Sequence, residues 1–150
     1  MTLARLIAAG FGTGFAPVAA GTVASVVAVL IGAGLLLLSP WLLAAAALAA
    51  TVGGTLAIHT ARVEGDPGWV VIDEFAGQWI ALLGLSQVTP SGMLAAFVLF
   101  RFFDITKLGP IGWADRQHGP VGIMADDVIA GIVAAILLWT LGRMAPGLGL

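Results

Sequence analysis

Gly21-Thr-Val-Ala-Ser-Val-Val-Ala-Val-Leu-Ile-Gly-Ala-Gly-Leu-Leu-Leu-Leu38, the turn Ser39-Pro40, and Trp41-Leu-Leu-Ala-Ala-Ala-Ala-Leu-Ala-Ala-Thr-Val-Gly-Gly-Thr-Leu-Ala-Ile58 form the stretch that decides the fold. Each apolar segment is 18 residues long, and no charged residue occurs between Arg5 and Arg62. A helix needs about 20 residues to cross the hydrocarbon core of a bilayer, and about 17 at the least. Both segments meet that length, and the Ser-Pro turn folds them into an antiparallel hairpin.

The rest of the chain agrees with lipid as the solvent. Hydrophobic residues make up 60% of the 150 and charged ones 9%, against about 25% charged in soluble domains. Six basic and eight acidic side chains cannot cover the surface of a water-soluble fold. A net charge of −2 without a basic stripe argues against nucleic acid as a partner. The absence of cysteine removes disulfides, thiolate catalysis and zinc-thiolate sites together. Arg5 is followed by an apolar stretch broken at Gly10, Gly12 and Gly14, which makes a poor signal peptide. One domain over residues 1–150 is expected, since no break in composition divides the chain.

A second hairpin does not fit so simply. Residues 75–100 are uncharged, but Ser86-Gln-Val-Thr-Pro-Ser-Gly92 interrupts them. The remaining arms, Phe75–Leu85 and Met93–Phe100, are too short to span unless one extends back through Asp73 and Glu74 and the other on through Arg101 and Asp104. Val128–Gly142, at 15 residues, has the same shortage and draws in Asp126 and Asp127. The expectation is thus an all-α polytopic membrane bundle of about five helices with a Gly-rich N-terminal interfacial segment. Five carboxylates and an arginine are pulled to the membrane boundary. Charges at such depth face a bundle interior or a wet cavity, and by default they mark a functional site.

Orientation follows from the loops. Arg5, Arg62, Arg101, Lys107 and Arg116 fall on one side, and only Arg143 on the other. The positive-inside rule makes the first side cytoplasmic, and all eight acidic residues fall there too. The carboxylates are therefore expected to face the cytoplasm. Trp41, Trp69, Trp113 and Trp139 sit near span ends as interfacial anchors, whereas Trp79 lies deeper and reads as packing. His59 and His118 lack a ligand-spaced partner and read as interfacial.

Asp73-Glu74 and Asp126-Asp127 are adjacent pairs, and Asp104 lies one turn from both Arg101 and Lys107. Pairing into salt bridges is the plain alternative to a metal site. The charge count works against pairing alone, because five carboxylates meet two cations. Either some protonate or a cation joins them. Oxygen ligands without cysteine select magnesium, manganese or calcium, and magnesium commonly takes a few carboxylates, waters and a substrate phosphate. Asp73, Glu74, Asp104, Asp126 and Asp127 are therefore the candidate metal ligands and, with Lys107, the candidate catalytic residues. Gly12, Thr13 and Gly14 free the backbone to turn amides toward an anion. Gly21 and Thr22 open the first spanning helix, where the dipole favours phosphate. With Arg101 and Lys107 these complete the candidate phosphate-binding set. Gly77 follows Asp73, and Gly131 follows Asp127, by one helical turn, which lets neighbouring helices come close.

Taken in order, several motifs resemble the bacterial phosphatidylglycerophosphatase A family. They are Gly12-Thr-Gly-Phe-Ala-Pro17, Ala20-Gly-Thr22, Asp66-Pro67, Val71-Ile-Asp-Glu74 with Gly77, Phe100-Arg-Phe-Phe-Asp104 with Lys107, and Gly122-Ile-Met-Ala-Asp-Asp127 with Ala130-Gly131. Ala20 and Leu108 stand where the family usually has proline, which alters loop stiffness rather than a reacting group. The resemblance implies magnesium-dependent removal of the terminal phosphate from phosphatidylglycerophosphate, a lipid substrate in the bilayer, in phospholipid biosynthesis. With the charge asymmetry it implies a bacterial cytoplasmic (inner) membrane location, the active site facing the cytoplasm. Homo-oligomerisation is left open. A carboxylate-lined cation transporter and a non-catalytic structural membrane protein are the rival classes. A transporter would carry its carboxylates near mid-membrane within repeated halves, and no repeat is visible.

Overall fold

The computed structural model describes residues 1–150, with the backbone alone for Pro146. It is all-helical among the described residues. Seven α-helices run in the order α1 (Leu3–Ala8), α2 (Ala20–Leu38), α3 (Pro40–Thr60), α4 (Ile72–Leu82), α5 (Pro90–Thr106), α6 (Pro110–Asp115) and α7 (Pro120–Met144). Short 3-10 segments cover Gly10–Phe15 and Pro146–Leu148. The helical class is as expected, and the number differs from about five. Only α2, α3 and α7 are long and apolar enough to cross a membrane. The two short helices α1 and α6 were not anticipated, because six residues carry too little periodicity to read.

The helix starts follow from local chemistry. Proline stands in the first turn of α3, α5, α6 and α7, where its missing N–H is not needed. The Ser39 hydroxyl caps α3 by accepting from the Trp41 N–H at 3.2 Å. Thr89 caps α5 in the same way, from the Gly92 N–H at 3.0 Å.

The extensions required by the short arms are all present. Helix α4 begins at Ile72 and holds Asp73 and Glu74 in its first turn. Helix α5 runs through Arg101 and Asp104 to Thr106, and α7 begins six residues before Asp126. With 11 residues, α4 is only about 16 Å long. It is the axis of the bundle, with every residue from Ile72 to Gln78 buried, and it packs against α2, α3, α5 and most extensively α7.

A close backbone approach makes that packing possible. A Cβ on Gly77 would sit 2.5 Å from the Asp127 carbonyl, and one on Gly131 would strike the Gly77 carbonyl. The glycines face each other, so the carboxylate-bearing starts of α4 and α7 lie side by side. Elsewhere Trp79 donates to the Ala28 carbonyl at 2.9 Å and meets Phe75 edge-on, which fixes α4 against α2.

The two ends of the bundle differ in chemistry. At one end Leu36, Leu37 and Pro40 share a cleft with Leu85–Val88, and Ser91 donates to the Leu148 carbonyl at 3.2 Å. The turns and the C-terminal tail therefore meet there, without an acidic group. Six of the eight acidic residues line two cavities at the opposite end, with Asp126 beside them on Lys107 and Glu64 in the loop after α3. Leu30, Leu37, Trp41, Leu48, Leu56 and Ile136 all project outward from the long helices. An apolar surface of that extent is one made to face lipid.

Candidate active site

A cavity of about 200 Å³ opens at the charged end, lined by Gly21, Asp66, Gly68, Val70, Val71, Asp73, Glu74, Asp104, Lys107 and Asp127. Four elements converge on it. The first turn of α4 supplies Asp73 and Glu74, the last turn of α5 supplies Asp104, α7 supplies Asp127 with Asp126 beside it on Lys107, and α2 supplies Gly21. Each of these helix-borne carboxylates is buried.

Two cations bind this cluster together. Arg101 Nη1 donates to Glu74 at 2.6 and 2.7 Å and to Asp104 at 2.5 Å. Glu74 also accepts from the Ser25 hydroxyl at 2.7 Å, so α2, α4 and α5 are joined through one carboxylate. Lys107 follows α5 in a left-handed conformation, φ 50°, which is unfavourable for a residue with a Cβ. The turn brings its ammonium back over the helix end. From there it donates to Asp104 at 3.0 Å and to Asp126, and lies 3.6 Å from Asp115. Burial works against the Lys107 charge. The hydrogen bond to Asp126 and the negative charges of Asp104, Asp126 and Asp127 outweigh it and hold the pKa above the usual lysine value.

The ion pairs leave charge uncompensated. Asp73 accepts only the Glu74 N–H, at 3.0 Å, and neither Asp73 nor Asp127 has a cationic partner among the described residues. Asp126 Oδ1 is buried without any hydrogen-bond partner. Asp104, Asp126 and Asp127 each offer a carboxylate oxygen within 4.8 Å of the others. Three convergent carboxylates and one orphaned buried oxygen are a donor set that could hold a metal ion, and their hard oxygens suit a hard cation. Glu74, tied to Arg101 and Ser25, and Asp73 lie outside that closest group but line the same cavity.

The phosphate-binding candidates divide. Gly21 lines the cavity, and a Cβ there would collide with the Glu74 carboxylate and lie 3.6 Å from Arg101 Nη1. Gly12, Thr13, Gly14 and Thr22 are not among the lining residues. A Cβ on Gly14 would run into the Trp69 carbonyl, and Phe15 stacks on Trp69 at 6.4 Å. The N-terminal segment thus packs against the loop that carries Trp69–Val71, and supports the cavity wall from behind.

Sequence reasoning missed Asp66, Asp115 and Ser25. Asp66 lines both the carboxylate cavity and a neighbouring cleft of about 520 Å³ that includes Asp115, Arg116 and His118. As a residue it is exposed. Partial enclosure of its carboxyl nonetheless raises its pKa, Lys107 opposes the rise, and Asp115 and Asp104 add to it. The available signal was the Asp66-Pro67 turn just before α4.

Fold and site together define a polytopic helical membrane protein with a carboxylate- and lysine-lined cavity at one end of its bundle. The family profile of Phosphatidylglycerophosphatase A matches residues 6–142. Phosphatidylglycerophosphatase A of Escherichia coli (strain K12) is 39% identical over 147 residues, covering 95% of this chain and 85% of that protein. The Haemophilus influenzae protein of the same name is 39% identical over 142 residues, covering 91% and 87%. A Bacteroides thetaiotaomicron protein with the provisional name phosphatidylinositol-3-phosphatase is 38% identical over 154 residues, covering 91% and 94%. No solved structure matches the chain. The chain belongs to the phosphatidylglycerophosphatase A family, and it is a membrane-embedded hydrolase of the phosphatase class.

Proposed function

We propose that this protein removes the terminal phosphate of phosphatidylglycerophosphate in the cytoplasmic leaflet, with magnesium as the metal. The observation that carries the reading is the small acidic cavity at one end of lipid-facing helices, bordered by Lys107 and Arg101. A magnesium ion held by Asp104, Asp126 and Asp127 would neutralise phosphate charge and activate water.

The chain's own groups have separable tasks. Lys107 has three N–H donors, and two are engaged by Asp104 and Asp126. The third is available to a phosphoryl oxygen, where a fixed positive charge stabilises the transition state. Asp73, which faces the cavity without a cationic partner, is our candidate for the base that takes the proton of the attacking water. As water bonds to phosphorus, the bond from phosphorus to the glycerol oxygen breaks, and that oxygen leaves as an alcohol after protonation. Carboxylate walls repel a phosphate that arrives without a cation. The same repulsion helps expel the product.

A phosphorylated inositol headgroup is the second reading, favoured by the name of the Bacteroides thetaiotaomicron relative. The test compares phosphate release by purified protein from phosphatidylglycerophosphate, phosphatidylinositol 3-phosphate, phosphatidate and glycerol 3-phosphate in the same mixed micelles. The expected order places phosphatidylglycerophosphate first in kcat/KM and glycerol 3-phosphate last, with activity lost to chelation and restored by magnesium. Equal rates on glycerol 3-phosphate would overturn the lipid reading. A preference for the inositol lipid would transfer the assignment to the second headgroup.

A further inference from the structure

The outer surface of the bundle carries two apolar grooves of nearly equal size, and only one leads to the acidic cavity. The first, about 270 Å³, follows the seam of α2 and α5 and is lined by Val26, Val29, Leu30, Met93, Leu94 and Phe97. One helical turn nearer the charged end, Phe97 is succeeded by Arg101, Val26 by Thr22 and Val29 by Ser25. Arg101 Nη1 is engaged by Glu74 and Asp104, but Nη2 and Nε have no partner among the described residues. The same guanidinium borders Gly21, which lines the cavity. The second groove, about 280 Å³, lies between α4 and α7 around Gly84, Ile132 and Ile136. It runs to Trp139 and Arg143, at the end away from the carboxylates.

We propose that the α2–α5 seam seats an acyl chain of the lipid substrate, so that the lipid enters the cavity sideways from the bilayer past Arg101. Arg101 then faces the diester phosphate that joins the headgroup to the acylated glycerol. The inference rests on the lipid-phosphatase reading and adds the route and the cation that meets the diester. Three observations select this occupant. The groove is apolar along its length, its upper end is a guanidinium with unengaged donors, and that guanidinium lies beside Gly21, which lines the cavity. A diester anion and an acyl chain, joined as in a phospholipid, match that order from charge to hydrocarbon. Moving a chain from bilayer to groove brings no hydrophobic gain, because lipid tails are as apolar as the groove walls. The groove acts by orientation, which holds the terminal phosphate near the carboxylates.

The test uses the full chain in nanodiscs with phosphatidylglycerophosphate that bears a photoreactive diazirine on one acyl chain. Adducts should concentrate on residues 26–30 and 93–97 over the α4–α7 groove, and unlabelled phosphatidylglycerophosphate should compete them away while phosphatidylcholine does not. In parallel, Val26→Trp and Leu94→Trp fill the seam. Each should lower kcat/KM for the long-chain lipid roughly tenfold, the scale of a modest loss of positioning, without changing hydrolysis of the deacylated headgroup. Ile136→Trp, in the other groove, should leave both rates alone. Equal labelling of the two grooves, or full long-chain activity in both filled variants, overturns the proposal. Labelling that keeps the expected pattern in a chain that releases no phosphate would support the seam and overturn the phosphatase reading alone.

Discussion

At the scale of single residues, five buried carboxylates share two cations, and the partition of contacts separates their roles. Asp104, Asp126 and Asp127 form the closest oxygen group, so their amides should lose metal and rate together. Asp104→Asn, Asp126→Asn and Asp127→Asn should each lower kcat by about 10²–10³ and weaken magnesium binding measured by calorimetry in detergent. Retained binding in all three would move the metal elsewhere in the cavity. Arg101 supports a different expectation, because it compensates both Glu74 and Asp104. Removing one partner of a buried ion pair costs about 3–5 kcal/mol, so Arg101→Met should lower the thermal unfolding midpoint in detergent. Adding Glu74→Gln should recover part of that loss. An unchanged midpoint in Arg101→Met would mean that the pair contributes nothing to the fold.

At the scale of elements, α4 is too short to cross a bilayer and too charged at its start to face one. Its stability comes from enclosure by four other helices, and the enclosure depends on small residues at the α4–α7 crossing. A methyl group on Gly77 would meet the Phe100 ring and the Asp127 carbonyl. Gly77→Ala should therefore cost about 1–3 kcal/mol as overpacking and reduce activity by pushing the two carboxylate-bearing turns apart. Gly53 of α3 has open space around its Cβ position. Gly53→Ala should be neutral or slightly stabilising, as expected when a helix glycine gains a side chain. Comparison of the two melting curves checks the argument, and a harmless Gly77→Ala would refute the close approach. This crossing was legible in the sequence from the one-turn spacing of Asp73 to Gly77 and Asp127 to Gly131. The shortness of α4 was legible only as an awkward fit.

For the whole molecule, the consequence is sidedness. Both turns and the C-terminal tail gather at one end, and the acidic residues at the other. Because the chain lacks cysteine, single reporters can be introduced at exposed sites. Gln87→Cys should react with an impermeant thiol reagent applied outside intact cells, and Glu64→Cys should react only after lysis. The reverse pattern would invert the orientation proposed here. A reporter at Ala114 would be silent on either side, since Ala114 is fully buried. Its position in α6 was not foreseen, because a six-residue helix between two prolines resembles a loop when read as sequence.

The amino-acid sequence by itself determined the solvent, the helical class and the gathering of charge at one end. Those follow from composition and segment length, which constrain a chain in lipid before any contact is known. It also determined that α4, α5 and α7 carry their carboxylates inside the helices, since their uncharged arms are shorter than a span. Tertiary structure alone decided how the carboxylates divide. Arg101 and Ser25 take Glu74, Lys107 takes Asp104 and Asp126, and Asp127 stays without a cation because the glycine crossing sets α7 beside α4. It alone brought Asp66 to the cavity and left the Gly12–Gly14 segment behind the wall. Spacing along one helix fixes which residues share a face. Which faces meet is decided by the packing of helices far apart in the chain.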